Sequence, residues 1–423
     1  MNRRLTTPPA AAPVESLSVV TRQDGQPSVG EETPSPVAVQ APAEQPAAGL
    51  PPRPTNSRYQ SLDFWRGAAC LMLFCFHGSF YADKTFAAGD LSTWSPGALG
   101  VRGVRILWVG VPIFFVISGY CIAASIDSLR RKPHSLGNYF FRRFRRIYPP
   151  LWIASGLAVL FCLAVSLHPE LVASCKQLAR LVEMPLAAWF GNLTATESWL
   201  PRVTGRSESN YLMANTWTLC YEEQFYLVTG VILWLGARRF FPACAALTVL
   251  TLVTRHTARA AGVSLEGWFF DGHWLPFACG ILVYYIVNYR SGWSRSWWCG
   301  LLLAGMCYAV ADRLTQSTRY QRHLDDYIFC ACTFALALVA FRRWDAWFAS
   351  LRVLQPVVWC GKMSYSIYLL HFPLVVALSC WLALQGYHDD QSVMFLVLPL
   401  SFVLSLPLAW VFHVLVERRF MNT

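Results

Sequence analysis

Apolar residues in this chain neither alternate nor recur at an amphipathic helical period. From residue 62 onward they run together in blocks of roughly twenty, the length an α-helix needs to cross the hydrocarbon of a bilayer. The blocks lie at about 62–82, 104–126, 148–168, 214–236, 240–254, 268–289, 297–311, 327–341, 357–384 and 393–416. This predicts an all-α fold, a polytopic transmembrane helix bundle of about ten spans. Between the third and fourth blocks, residues 169–214 form a long loop whose apolar piece near 181–192 reads as partly re-entrant. Residues 1–57 break the pattern, holding eleven of the chain's 25 prolines and almost no aromatic side chain. Such a segment buries too little surface to offset its ordering entropy, so a disordered cytoplasmic tail is expected. It shows no apolar core before a small-residue cleavage site, and the first block is expected to direct insertion.

Composition agrees with the pattern. Of the 423 residues 55% are hydrophobic and 14% charged, whereas soluble domains carry about 25% charge. The net charge of +11 does not point to nucleic acid, because the basic residues sit mostly between blocks. Asp127–Arg146 alone carries seven Arg or Lys against one Asp. The positive-inside rule puts this loop in the cytoplasm and the amino terminus with it. An even span count returns the carboxyl terminus there, and the arginine pairs 238/239, 342/343 and 418/419 fall on the same side. Arg255, Arg259, Arg313, Arg319 and Arg322 fall on the outer side and weaken the asymmetry. The fourteen cysteines show neither a CxxC pair nor metal-ligand spacing, so buried thiols are expected rather than a disulfide framework, and no metal. No internal repeat is visible, which counts against an inverted-repeat transporter.

Candidate chemistry begins in the first block, SLDFWRGAACLMLFCFH, where Arg66 and His77 stand inside an apolar run. Eleven residues apart, they share one helix face about 16 Å apart along the axis. A lipid-facing helix does not tolerate that, so the face must look into protein or a wet cavity. Depth arithmetic puts His77 about 22 Å from the inner end and Glu222 about 18–20 Å, so the two can meet. Glu222 and Glu223 point about 100° apart, so at most one faces His77. Ser118 and Tyr120 in the second block, and His371 in SYSIYLLHFPL, lie nearer the middle or the inner half. Each has a plainer reading: an intramembrane histidine often ties helices together, and Ser118 beside Gly119 suits close packing. Arg142 with Arg145, and Arg143 with Arg146, are three apart, so either pair makes a face able to fork-bind phosphate. Topology alone would also place arginines there.

The segments LDFWRGAACLMLFCFH, GVPIFFVISGY, FRRFRRIYPPLW, NTWTLCYEEQFYL and SYSIYLLHFPL resemble, in order, the motifs of the membrane acyltransferase-3 family. That family comprises ten-span O-acyltransferases acting on cell-surface glycans and related acceptors. The resemblance covers about 58–420 and implies a transmembrane acyltransferase domain there. It implies that Arg66 and His77 match an Arg-x10-His signature, that an Arg-x-x-Arg pair contacts acyl-CoA, and that Glu222 matches the glutamate of a Trp-Ser-Leu-x-x-Glu motif. Thr218 replaces that serine, and the doubled basic motif leaves two candidate pairs. No soluble SGNH-type domain, as some members carry, is expected at the carboxyl end.

The expected activity is transfer of an acyl group, most simply acetyl, from cytoplasmic acyl-CoA to a hydroxyl of a glycan or other acceptor on the outer side. His77, Glu222 and Arg66 are the catalytic candidates: His77 takes the hydroxyl proton and Glu222 holds the imidazole. Arg142, Arg143, Arg145 and Arg146 are candidates for the donor, and Ser118, Tyr120, Trp217 and His371 for substrate. A covalent acyl-histidine is an open alternative. The competing class is an exporter of a polysaccharide or lipid-linked glycan with His77 and Glu222 as a proton relay; a non-catalytic assembly partner ranks third. The expected setting is multi-pass in a bacterial cytoplasmic membrane, with both termini inside. Oligomeric state is not legible. Asn192-Leu193-Thr194 reads as a chance sequon.

Overall fold

The computed structural model describes residues 59–80, 94–131, 136–174, 184–316, 318–387 and 389–421. The segment expected to be a disordered tail, 1–57, lies outside the described residues. Within them every regular element is a helix. The principal ones are α1 (Leu62–Phe80), α2 (Pro96–Arg105), α3 (Gly110–Leu129), α4 (Leu136–Ser166), α5 (Leu186–Leu193), α6 (Trp217–Gly236), α7 (Phe240–Ala260), α8 (Trp274–Tyr289), α9 (Gly292–Thr315), α10 (Arg319–Phe341), α11 (Gln355–Lys362), α12 (Ser364–Leu384) and α13 (Leu398–Phe412). A helix stands at each of the ten apolar blocks.

Among the described residues, six helical segments are long and apolar enough to cross a membrane: Pro96–Leu129, Leu136–Ser166, Ala214–Ala260, Arg319–Ser350, Ser364–Leu384 and Asp390–Met421. The third of these bends between α6 and α7, where residues 237–239 make a tighter turn. Helix α1 is not among the six. Asp63, Arg66 and His77 lower its apolarity, and these residues give it a role inside the bundle. The long loop is partly helical: α5 and a turn at Leu200–Thr204 occupy it. Asn192 there is buried and bonded to the Ala188 and Asn210 carbonyls and the Leu212 N–H, which removes the sequon from consideration.

Two close approaches fix the helices that carry the polar residues. A Cβ on Gly67 of α1 would lie 1.9 Å from the Val357 carbonyl oxygen of α11, and one on Gly361 1.7 Å from that of Asp63. Likewise a Cβ on Gly119 of α3 would meet the Phe277 carbonyl oxygen of α8 at 2.0 Å. Backbones this near leave room only for hydrogen, so α1 and α3 are seated with little freedom.

The start of α1 is tied down electrostatically. The buried Asp345 carboxylate accepts from the Gln60 N–H at 2.7 Å, the Ser61 N–H at 2.9 Å and Arg342 at 3.0 Å. It supplies anionic charge to a helix amino terminus whose N–H groups lack intrahelical partners. Around these helices the fully buried aromatics Phe74, Phe115, Phe225, Phe277, Trp274 and Tyr284 fill the interior. Leu157, Leu160, Trp234, Leu235, Val249 and Phe395 point outward, as lipid-facing positions should. Cys70, Cys220, Cys244, Cys279, Cys332 and Cys360 are buried among the helices.

Candidate functional site

Three cavities follow one another along α1. The first, about 370 Å³, is lined by Tyr59, Asp63, Arg66, Tyr120, Cys121 and Ser125, among others. The second, about 130 Å³, shares Arg66 and Cys121 with the first and reaches Arg143, Arg146 and Glu222. The third, about 580 Å³, shares Leu73 and Val111 with the second and holds His77 and Trp217. Arg66 and His77 thus face one row of hollows, as their spacing on a helix predicts.

The second cavity is electropositive. Three guanidinium groups, of Arg66, Arg143 and Arg146, line it against the single carboxylate of Glu222. Arg66 is steadied by Asp63 at 3.1 Å and touches Cys121 Sγ at 3.3 Å. The Glu222 carboxylate accepts from the Tyr226 hydroxyl at 3.0 Å, which lies 3.2 Å from Ser118 Oγ. Arg143 sits over the Tyr226 ring at 5.2 Å. The doubled basic motif divides by helical phase: Arg143 and Arg146 turn inward, whereas Arg142 is exposed and Arg145 donates to the Arg419 carbonyl at 2.8 Å. Glu223 faces Tyr148 on α4 and not the cavity. Thr218, in place of the family serine, keeps a hydroxyl 3.0 Å from that of Tyr368.

His77 has a different partner from the one depth arithmetic proposed. Its Nδ1 lies 2.9 Å from Nε2 of His371, while Nδ1 of His371 lies 2.7 Å and 3.0 Å from the carbonyl oxygens of Ile367 and Tyr368. Carbonyls only accept, so Nδ1 of His371 carries the proton. In the neutral pair its Nε2 then accepts, His77 Nδ1 donates, and the lone pair of His77 falls on Nε2. Glu222 is engaged with Tyr226 and Ser118 in the second cavity, so a shared depth did not mean a shared azimuth. His371, expected among the substrate residues, is the ring that stands within hydrogen-bonding distance of His77.

The remaining candidates separate. Tyr120 borders the first cavity, packed edge-on to Tyr59 and Tyr284, two residues and one cavity away from Ser118. Trp217 lies in the third, edge-on to Tyr221 and His273. Sequence reasoning missed Asp271 and His273, which stand beside Trp217 with ring and carboxylate 2.9 Å apart. The signal was there in FFDGHW, an acid and a histidine at the mouth of an apolar block.

The chain matches a family model described as an acyltransferase domain over residues 59–414. It is 22% identical over 336 residues to the peptidoglycan O-acetyltransferase OatA of Listeria monocytogenes, covering 74% of this chain and 49% of that protein. Against the O-acetyltransferase OatA of Staphylococcus aureus it is 24% identical over 297 residues, covering 64% and 46%. The chain therefore spans about half the length of the curated relatives it matches. No solved structure matches it. With the family model matched across the whole bundle that carries Arg66, His77 and the inward arginine pair, this chain belongs to the membrane acyltransferase-3 family of acyltransferases.

Proposed function

We propose that the protein is an integral-membrane O-acyltransferase that moves an acetyl group from cytoplasmic acyl-CoA to a hydroxyl of a cell-wall type glycan on the opposite side. The observation that carries this reading is the row of cavities along α1, with three arginines in the second and an oriented imidazole in the third. Residues 58–420 form the acyltransferase domain, and 1–57 a cytoplasmic tail. The Listeria relative's name supplies the acceptor class. The arginine-rich ends of the helices supply the orientation: Arg145 joins Arg419, and Arg342 lies over Tyr59 at 5.2 Å. Both termini then lie in the cytoplasm of a bacterial cell.

The donor's phosphates stay at the Arg143 and Arg146 face, where fork-shaped guanidinium groups suit them. Its thin thiol arm extends along α1 past Arg66 toward Leu73 and Val111. In the third cavity His77 Nε2 takes the proton of the acceptor hydroxyl as that oxygen bonds to the acyl carbonyl carbon. The carbon–sulfur bond then breaks, and the thiolate takes the proton back from His77. His371 fixes the tautomer and stabilises the transient imidazolium through its Nε2. General-base help of this kind contributes about 10²- to 10⁴-fold.

The test is release of free thiol from acetyl-CoA by purified protein, with and without a glycan acceptor. Acceptor-dependent release that is lost in His77→Ala, with insertion and folding intact, is the expected result. Proton-coupled glycan movement without thiol release would replace the enzyme reading with the exporter.

A further inference from the structure

Asp271 and His273, at the amino-terminal end of α8, are both buried and belong to none of the motifs used above. The Asp271 carboxylate is fully occupied. Oδ2 accepts from the Tyr221 hydroxyl, from that of Tyr320 at 3.1 Å and from the Gly267 N–H at 3.3 Å. Oδ1 accepts from the His273 N–H at 3.0 Å and lies 2.9 Å from Nδ1 of the same ring. Every other group bonded to this carboxylate is a donor, so its oxygens accept throughout, and in the neutral ring Nδ1 of His273 carries the proton and Nε2 the lone pair.

That Nε2 has no hydrogen-bond partner among the described residues, and His273 lines the third cavity together with His77. Tying the loop before α8 to α6 and α10 explains Asp271 and the two tyrosines. It leaves one ring nitrogen of a cavity-lining histidine available to accept from a ligand.

The surroundings select the ligand chemistry. Ring centroids of Tyr221, Trp217 and Tyr327 lie 4.2, 5.5 and 6.1 Å from that of His273. Arg202, Glu208 and Glu266 line the same cavity. Aromatic faces interleaved with hydrogen-bonding groups match a pyranose, which offers apolar C–H faces and a girdle of hydroxyl donors. At about 580 Å³, the cavity falls within the range of pockets that enclose a small ligand.

We propose that His273, held in one tautomer by Asp271, is an acceptor-positioning residue: its Nε2 accepts a hydrogen bond from a pyranose hydroxyl other than the one acylated. This contact sets which hydroxyl faces His77, and so fixes the regiochemistry of the product. The inference rests on the acyl-transfer reading of the third cavity and names its acceptor as a sugar ring.

The test uses the full chain in detergent micelles and a β-1,4-linked N-acetylglucosamine tetramer as probe. Binding is read from tryptophan fluorescence, since Trp217 and Trp108 line the cavity. His273→Phe, which keeps a ring and removes the acceptor, is expected to bind about tenfold more weakly than the wild type, the loss of one hydrogen bond in a desolvated site. In turnover with acetyl-CoA, His273→Phe is expected to raise the KM for the tetramer about tenfold, change kcat less than threefold, and spread acetyl over more than one hydroxyl. Asp271→Asn is expected to move these readouts the same way with the melting temperature retained, because the swapped tautomer offers the sugar a donor. Unchanged KM and regiochemistry in His273→Phe would overturn the proposal, as would a wild type that releases thiol but does not bind the tetramer. Tetramer binding that is weakened by His273→Phe in a protein that never releases thiol would sink the acyl-transfer reading alone.

Discussion

The pairing of His77 with His371 makes a prediction that separates orientation from bulk. His371 holds its own Nδ1 proton on carbonyls of α12 and presents Nε2 to His77. Those carbonyls belong to a helix that already employs them, so substituting His371 strands no buried acceptor. The effect should therefore fall on catalysis more than on folding. When His77 becomes imidazolium, its bond to His371 is one with a charged donor, worth about 1.5–3 kcal/mol. At 1.36 kcal/mol per tenfold, losing it lowers kcat about 10- to 150-fold. His371→Phe keeps most of the volume and removes the acceptor, and should show that full loss. His371→Gln places a carbonyl oxygen near the former Nε2 and should recover most of it. The assay is acceptor-dependent thiol release at saturating substrates, with melting temperature as the folding control. A His371→Phe protein that turns over like wild type, or a His371→Gln protein as impaired as the Phe variant, would refute the assignment of His371 as the orienting group.

Three further outcomes follow from the geometry. Arg143→Gln and Arg146→Gln should each raise the KM for acetyl-CoA about tenfold or more, the worth of a charge-assisted bond, while Arg142→Gln and Arg145→Gln change it less than twofold; acetyl-CoA titrations decide this. Asp345→Ala leaves two N–H groups at the start of α1 and the Arg342 guanidinium without their buried carboxylate. It should cost about 3 kcal/mol, seen as a lower melting temperature, and a curve coincident with wild type would contradict the capping role. Gly280→Ala puts a Cβ 1.9 Å from the Val116 carbonyl oxygen and should cost about 1–3 kcal/mol by forcing α3 and α8 apart; undiminished stability and activity would show the contact to be slack.

Much of this was legible along the chain because a bilayer imposes a simple rule on sequence. Each apolar block became a helix, and the eleven-residue spacing of Arg66 and His77 put both on the cavity side. What failed was azimuth. Glu222 and His77 matched in depth, yet depth along parallel rods says nothing about which way each rod is turned, and Glu222 went to Tyr226 and Ser118. The arginine ambiguity had the same origin: Arg142/Arg145 and Arg143/Arg146 differ by one residue, about 100° of rotation, and only the packing of α4 decides between them. Ser118 and Tyr120, neighbours in one motif, border different cavities because two residues along a helix turn the side chain by about 200°. Asp271 and His273 went unnoticed because the reading asked what polar groups do inside apolar blocks, and these stand at the edge of one.

Leu73 and Val111 form the wall common to the second and third cavities. Neither side chain is ionic, so this partition works as a greasy valve between two cavities that each hold charged groups. A slim neutral thioester tail can slip through such a valve, whereas hydrated ions and hydronium meet a dewetted plug. On the proposed function a cell exports acetyl groups through this bundle without short-circuiting its membrane potential, and shaving Leu73 down to alanine should make the protein leaky before it makes it slow.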